Sequence, residues 1–244
     1  MNPLDRIDES WKSLVGSQLY QEPLKSLSEN ILPNIAYHPF KEDIFKVFEM
    51  PLNDIKVVIL GQDPYPTPGD AVGRAFAIEE GRRIPASLRN IKQEVYSGGV
   101  ITYDKLKPLD EWATLDHWTE QGVFLLNTAL TVESGKAGSH LRYWEQFTKH
   151  IITQISLRQP CIWVLWGRKA QNFMPYIAKQ FKVSGYDNNT IKEIPASPEW
   201  NYILTAPHPA AESYGGGTAG FYGCNHFRYI NEILIRKHIN PIMW

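Results

Sequence analysis

The sequence predicts a three-layer α/β/α sandwich around a central four-stranded parallel sheet, on three observations. Four short apolar runs, Ile55–Leu60, Val123–Leu126, Cys161–Trp166 and Tyr202–Ala206, each have the length of one strand buried on both faces. Helical patterns separate them, which makes consecutive strands parallel with crossovers covering the sheet. Asp63, Asn127 and His208 each sit at or just past the carboxyl end of a different run. That rim is where open α/β sheets hold their ligands.

Residues 1–244 are expected to form a single domain, with 1–50 as its helical N-terminal part. Trp11, Leu14 and Val15 give a first apolar helical face, and Leu24, Leu27 and Ile31 a second after Pro23. Ile44, Phe45 and Phe48 give a third, closed by Pro51. The first strand runs into Gly61-Gln62-Asp63-Pro64-Tyr65-Pro66, where two prolines hold Asp63 and Tyr65 extended. Gly73 to Ile78 reads as a short extended piece. A helix from Pro85 to about Tyr96 ends at Gly98-Gly99, and another covers Asp110 to Glu120.

After the second strand, Trp144, Phe147, Ile151, Ile152 and Ile155 mark a long amphipathic helix. Lys169 to Lys179 is expected to be helical after the third strand. Residues 185–201 are polar and proline-bearing, a surface loop or hairpin insertion. The closing helix, Asn225 to Lys237, turns Phe227, Ile230, Ile233 and Leu234 inward.

Twenty-five basic against 26 acidic residues leave a net charge of -1. This excludes a strongly basic nucleic-acid binder held by counterion release, while leaving room for a local patch. Arg82, Arg83, Arg89 and Lys92 form one such cluster, or a solvated face. Cys161 and Cys224 have no metal-ligand spacing, so no metal is expected, and Cys161 opens a strand as a buried reduced thiol. Met1 to Asp5 begins no signal peptide and no apolar run reaches membrane length. The expectation is a soluble cytoplasmic protein with no membrane association.

Taken singly, Asp63 starts a turn before proline, Asn127 caps the next element and His208 is a turn residue between prolines. Their convergence from three strand ends points instead to a site.

Gly61-Gln62-Asp63-Pro64-Tyr65 resembles the water-activating loop of the classical, uracil-specific uracil-DNA glycosylases (family 1). Leu125-Leu126-Asn127-Thr128-Ala129-Leu130-Thr131-Val132 resembles their uracil-reading strand. Ala206-Pro207-His208-Pro209, followed by Gly220-Phe221-Tyr222-Gly223-Cys224-Asn225-His226-Phe227, resembles their DNA-intercalation segment and next helix. Weaker matches at Gly73–Phe76, Pro85–Asn90, Ser139-His140 with Trp144-Glu145, and Leu165-Trp166-Gly167 fill the gaps in order.

The resemblance implies a monofunctional DNA repair glycosylase that flips deoxyuridine out, hydrolyses its N-glycosidic bond and leaves an abasic site, with no cofactor. Asp63 would stabilise the sugar cation and orient water, and neutral His208 would donate to the departing uracil. Asn127 would read the uracil edge, Phe76 would stack on the base, Tyr65 would exclude a thymine methyl and Gln62 would contribute backbone. The implied partner is uracil-containing DNA, single- or double-stranded, taken by a monomer. No motif identifies a replication partner or a protein inhibitor. Ser87 and Ser213 are placed to grip phosphates, with Ala210 in the same loop; Ser87 has a second reading as a helix N-cap. A non-catalytic DNA-binding or polymerase-associated factor of the same fold, and a glycosylase of broader specificity, are the alternative readings.

Departures from the pattern cluster in two places. Pro66 replaces a histidine after the tyrosine. The third motif reads His208-Pro209-Ala210-Ala211-Glu212-Ser213 where the family has His-Pro-Ser-Pro-Leu-Ser, in a loop about three residues longer. The wedge leucine is replaced by Glu212, so Tyr214 is expected to fill the gap in the duplex, with Glu212 turned away. The competing reading is a flexible loop on an enzyme of single strands.

Overall fold

The computed structural model of the chain describes residues 5–15, 25, 36–98, 112–183, 197 and 199–244. The expected helix around Leu24, Leu27 and Ile31, the start of the 110–120 helix and most of the 185–201 insertion lie outside these residues. Elements are numbered over the described residues.

The sheet has five parallel strands. In chain order they are β2 (Val57–Gly61), β3 (Val123–Asn127), β5 (Ile162–Trp166), β6 (Gln180–Lys182) and β7 (Asn201–Ala206), in spatial order β3-β2-β5-β7-β6. The expected four strands are all present, and the fifth, β6, corrects the count. It lies at the edge and consists of three residues, two of them polar, too short and too hydrophilic for a buried run. The helix expected over 169–179 is correspondingly reduced to α5 (Arg168–Gln171) and a 3₁₀ turn at Met174–Tyr176. Pro175, with no N–H to donate, stops it. A separate antiparallel pair joins β1 (Tyr37–His38) to β4 (Val132–Glu133).

Alternate residues of each central strand enter different cores, which is why these strands read as unbroken apolar runs. Val57 and Ile59 face α2 (Ala86–Ser97), α3 (Asp116–Thr119) and α7 (His226–Arg236), through Leu88, Ile91, Trp118, Phe227 and Ile230. Val58 and Leu60 face α1 (Glu9–Val15) and α4 (Leu141–Arg158), through Trp11, Trp144, Phe147 and Ile151. Trp11 stacks on Phe124 at 5.4 Å and meets Phe48 edge-on at 5.0 Å, so the N-terminal helical part builds the second core.

Two local expectations are corrected. The helix around Ile44, Phe45 and Phe48 is a series of 3₁₀ turns at Lys41–Asp43, Lys46–Glu49 and Leu52–Asp54. The piece from Gly73 to Ile78 is not a strand: only an isolated bridge pairs Ala71 with Ile78. Gly73 turns at φ +76°, pressed against the Asp43 carbonyl where a Cβ has no room. The Ala75 N–H then docks on the Leu125 carbonyl at 3.0 Å, at the free edge of β3.

Candidate active site

The rim assembles from the register of the strands. Gly61 pairs with Asn127 across β2 and β3, so both strands end at the same height. Beyond that point Thr128 and Ala129 donate their backbone N–H groups to Gly61 and Gln62, each at 2.9 Å. The Thr128 hydroxyl adds a bond to the Gln62 carbonyl at 2.7 Å. The two exit loops are therefore laced together, which fixes Asp63 relative to Asn127. Asn127 is buried, and its carboxamide makes no hydrogen bond to the described residues.

Asp63 is half-buried. One carboxylate oxygen accepts from Gln62 Nε2 at 2.9 Å, the other from the backbone N–H of Gly138. Burial pushes its pKa above the usual aspartate range, and the two hydrogen bonds only partly oppose that rise. Nothing in its immediate sequence announces Gly138, 75 residues away. The Gly138 turn leads into His140, which is buried and bonded through Nδ1 to the Thr131 hydroxyl at 2.9 Å; that hydroxyl also accepts from Trp144 Nε1 at 2.8 Å.

The opposite wall is aromatic. Phe76 adopts a left-handed backbone, φ +64°, which turns its ring toward the rim. The ring lies 5.6 Å from Trp166, edge-on, and 5.8 Å from the His208 imidazole. Tyr65 donates its one phenolic proton to the Phe76 carbonyl at 3.1 Å, so the Ser87 hydroxyl, also at 3.1 Å, donates to Tyr65. Burial pushes the Tyr65 phenol up to about 12. Ser87 is not the N-cap of α2: Pro85 holds that position, and the buried Ser87 side chain braces Tyr65.

His208 follows β7. Burial lowers its pKa below the ordinary histidine value, and its Nδ1 accepts the Ala210 N–H at 3.2 Å. That bond fixes the tautomer, leaving Nε2 to carry the proton. Gly167, at φ +84°, makes room: a Cβ there would stand 2.9 Å from His208 Cβ. The Ala210 position thus acts on the site through its backbone.

The loop after His208 is pinned from α2 and from a carboxylate of its own. Asn90 of α2 donates to the Pro209 carbonyl at 2.8 Å and to Ser213 Oγ at 3.1 Å, while accepting from the Tyr222 hydroxyl at 2.8 Å. Glu94, one turn on, accepts from the N–H groups of Gly223 and Asn225 at 2.7 and 2.8 Å. Glu212, on the single turn α6 (Ala211–Tyr214), is turned inward. Its carboxylate accepts from the N–H groups of Ala219, Phe221 and Tyr222. Burial pushes its pKa up, but these donors outweigh it and hold the group below the usual glutamate range. Tyr214 is 90 % exposed. Asn90 and Glu94 are polar residues beside the apolar Leu88-Ile91-Val95 face, a pattern that could have flagged them. Lys92 leaves the expected surface cluster, because it is buried with its ammonium 5.5 Å from the Trp112 ring. No three His, Cys, Asp or Glu among the described residues are grouped to hold a metal, and both cysteines are buried thiols.

Fold and rim together define a class: a parallel α/β protein in which polar and aromatic side chains converge at the carboxyl end of the sheet. Comparison with known proteins narrows that class. Residues 48–235 match the family described as the Uracil DNA glycosylase superfamily. Uracil-DNA glycosylase of Idiomarina loihiensis is 39% identical over 242 residues, covering 96% of this chain and 99% of the relative. That of Rhizobium meliloti is 35% identical over 251 residues, covering 100% and 92%. The crystal structure of mimivirus uracil-DNA glycosylase superposes with a TM-score of 0.80 at 25% identity, covering 100% of this chain and 89% of that one. The chain belongs to the uracil-DNA glycosylase superfamily.

Proposed function

We propose that this chain hydrolyses the N-glycosidic bond of deoxyuridine in DNA, releasing free uracil and leaving an abasic site. The observation that carries the reading is the Asn127 side chain, which ends β3 beside Gly61 and whose carboxamide makes no hydrogen bond to the described residues. Its side-by-side acceptor and donor match a ligand edge with one N–H and one carbonyl. Uracil N3–H and O4 present that pair; cytosine presents the reverse and leaves both amide groups unmatched.

The reaction separates charge. The C1′–N1 bond breaks with its electron pair on uracil, and a water oxygen forms the new bond to C1′. Asp63 faces the sugar as a carboxylate, stabilises the cationic sugar, orients that water and accepts the proton the water loses as it bonds to C1′, passing it on to solvent. His208 donates from Nε2 to uracil O2 and remains neutral, so the leaving anion is stabilised without a full proton transfer. Phe76 forms the stacking shelf, and Tyr65, held at its hydroxyl, closes the space beside uracil C5 that a thymine methyl would need. Gln62 acts through its backbone and its bond to Asp63.

The base leaves the stack to reach this pocket. Ser213 and the backbone about Ala210 face the flanking phosphates, Ser87 contributes by bracing Tyr65, and Tyr214 supplies the wedge on duplex DNA. The test is direct. A uracil-containing oligonucleotide, single- or double-stranded, is incubated with the protein and abasic sites are cleaved with alkali. Cleavage at uracil, none at thymine in its place and none with Asp63→Asn is expected. An intact strand with the wild-type protein would overturn the reading.

A further inference from the structure

Two backbone donors from the loop between β4 and α4 grip the loop that carries Asp63. Gly135 donates its N–H to the Pro66 carbonyl at 2.9 Å, and Gly138 donates its own to Asp63 Oδ2. The near half of the gripping loop closes on itself. Lys136 donates to the Glu133 carbonyl at 3.0 Å, and Glu133 donates its N–H to Ser139 Oγ at 2.9 Å. The far end, two residues past Gly138 and just before α4, is fastened by the His140 side chain.

His140 Nδ1 lies 2.9 Å from Thr131 Oγ1, nine residues back. The direction of that bond follows from the third member of the group. Trp144 Nε1 can only donate, and it does so to Thr131 Oγ1 at 2.8 Å. The Thr131 proton has no acceptor but His140 Nδ1 among the described residues, so the hydroxyl donates to the imidazole. Indole, hydroxyl and imidazole form one chain in which each bond has a single donor. All three side chains are buried, where a broken bond costs the desolvation of the groups it strands. An imidazolium does not fit: its Nδ1–H would face an oxygen whose own proton has then lost its acceptor. Burial keeps the ring neutral, lowering its pKa against the charge of Glu133.

The consequence reaches Asp63. Its other oxygen is held by Gln62 Nε2, the side chain of its own neighbour, so Gly138 is the donor that ties the carboxylate to a separate part of the fold. We propose that His140 is a positioning residue for Asp63: bonded to Thr131, and through it to Trp144, it fixes the Gly138 turn and so the direction in which the carboxylate meets the attacking water. The proposal deepens the uracil-excision reading and rests on it for the reaction affected. His140 stands behind the turn, and its effect falls on the chemical step rather than on binding.

His140→Ala removes the acceptor, and His140→Asn returns one, its Oδ1 near the place of Nδ1. Uracil release from a single strand by His140→Ala should lose about 10²-fold in kcat with KM little changed, and His140→Asn should recover most of that loss. The decisive measurement repeats His140→Ala in two variant backgrounds. On Asp63→Asn it should cost less than about threefold more, because residues that act as one unit are not additive. On His208→Ala it should cost about 10²-fold again. A merely structural role predicts the full further loss in both backgrounds and overturns the proposal, as does a wild-type kcat in His140→Ala. Thr131→Val, which removes the hydroxyl and keeps the branched shape, carries the same expectations if His140→Ala does not fold. Hydrogen exchange at the Gly138 amide reads the link without substrate: slow in the wild type and His140→Asn, faster in His140→Ala. Equal exchange in all three overturns the link. A wild-type protein that releases no uracil, with the amide still loosened in His140→Ala, sinks the uracil reading and leaves the link standing.

Discussion

The carboxamide oxygen of Asn127 stands against the bare Cα of Gly61, its register partner on the neighbouring strand, inside the volume that any side chain at position 61 would need. The same missing methyl leaves Ala75 in place, since a Cβ on Gly61 would lie 2.8 Å from Ala75 Cβ. One glycine therefore sets both the place of the Asn127 amide and that of the loop that carries Phe76.

Gly61→Ala should displace Asn127 and Ala75 without unfolding the sheet, because residue 61 ends the strand and its backbone angles suit any residue. A displacement of about 1 Å at a reacting geometry costs about 10²-fold in rate. Single-turnover uracil release beside a thermal melt checks it: a large rate loss with a near-native melting temperature is the expected pair. A wild-type rate would show that Asn127 tolerates the crowding.

Asp63→Asn and His208→Ala should each slow release by about 10²–10⁴-fold with the fold intact. In the wild type, protonation of either group abolishes the productive state, so the rate falls only on the acid side. The lowered pKa of His208 keeps it neutral below pH 6.5. Asp63 also carries a stability signature. Its folded pKa lies above the unfolded value of 3.8, so the native state binds more protons in the window between them and loses stability as pH rises through it. Asp63→Asn should therefore melt higher than wild type at neutral pH, with the difference gone below pH 3.8. A variant that melts lower at neutral pH would contradict the burial cost.

Specificity should move with two further substitutions. Tyr65→Ala opens the space beside the base and should give slow thymine release, together with a lower melting temperature from the broken bonds to Phe76 and Ser87. Asn127→Asp should admit cytosine, because a protonated carboxyl matches its donor and acceptor order. Release of the new base is compared with the wild-type background by chromatography; no gain in either variant would refute the pocket.

Tyr214 and Glu212 should separate cleanly. Tyr214→Ala should slow uracil release on duplex DNA with little effect on single strands, since only a duplex has a gap to fill. Glu212→Ala should loosen the whole loop by stranding the N–H groups of Ala219, Phe221 and Tyr222, a loss of about 2–3 kcal/mol in denaturant melts. The Glu212 pKa is lowered, so its contribution is present above 4.5 and lost as pH falls through the folded pKa. Glu212→Gln, which keeps one acceptor oxygen, should fall between. Equal Tyr214→Ala effects on both substrates would remove the wedge.

The strand ends are legible because an apolar run that stops on Asp63, Asn127 or His208 carries its own punctuation. Helix faces such as Phe227-Ile230-Ile233 are legible for the same reason of period. What stays hidden depends on distance or on backbone angle. β6 is too short and polar to mark itself, and the left-handed turn at Phe76 looks extended in sequence. The Gly138 donor to Asp63 is a contact across 75 residues. Glu212 has the sequence surroundings of a surface charge, and only the backbone donors seven to ten residues further on draw it inside.

Asp63, Asn127 and His208 stand at the ends of β2, β3 and β7, and β5 lies between β2 and β7 in the sheet. His208 can face Phe76 only after β5 has paired with β2 and β7 has paired with β5. Each step closes a long loop before any contact rewards it. Helices α4 and α7 form from local contacts and can arise far earlier in the search. Catalytic competence is therefore among the last properties a nascent chain acquires, and a refolding chain regains its helical signal well before it regains the power to act on a substrate. A half-assembled molecule of this kind has no working pocket with which to damage a genome.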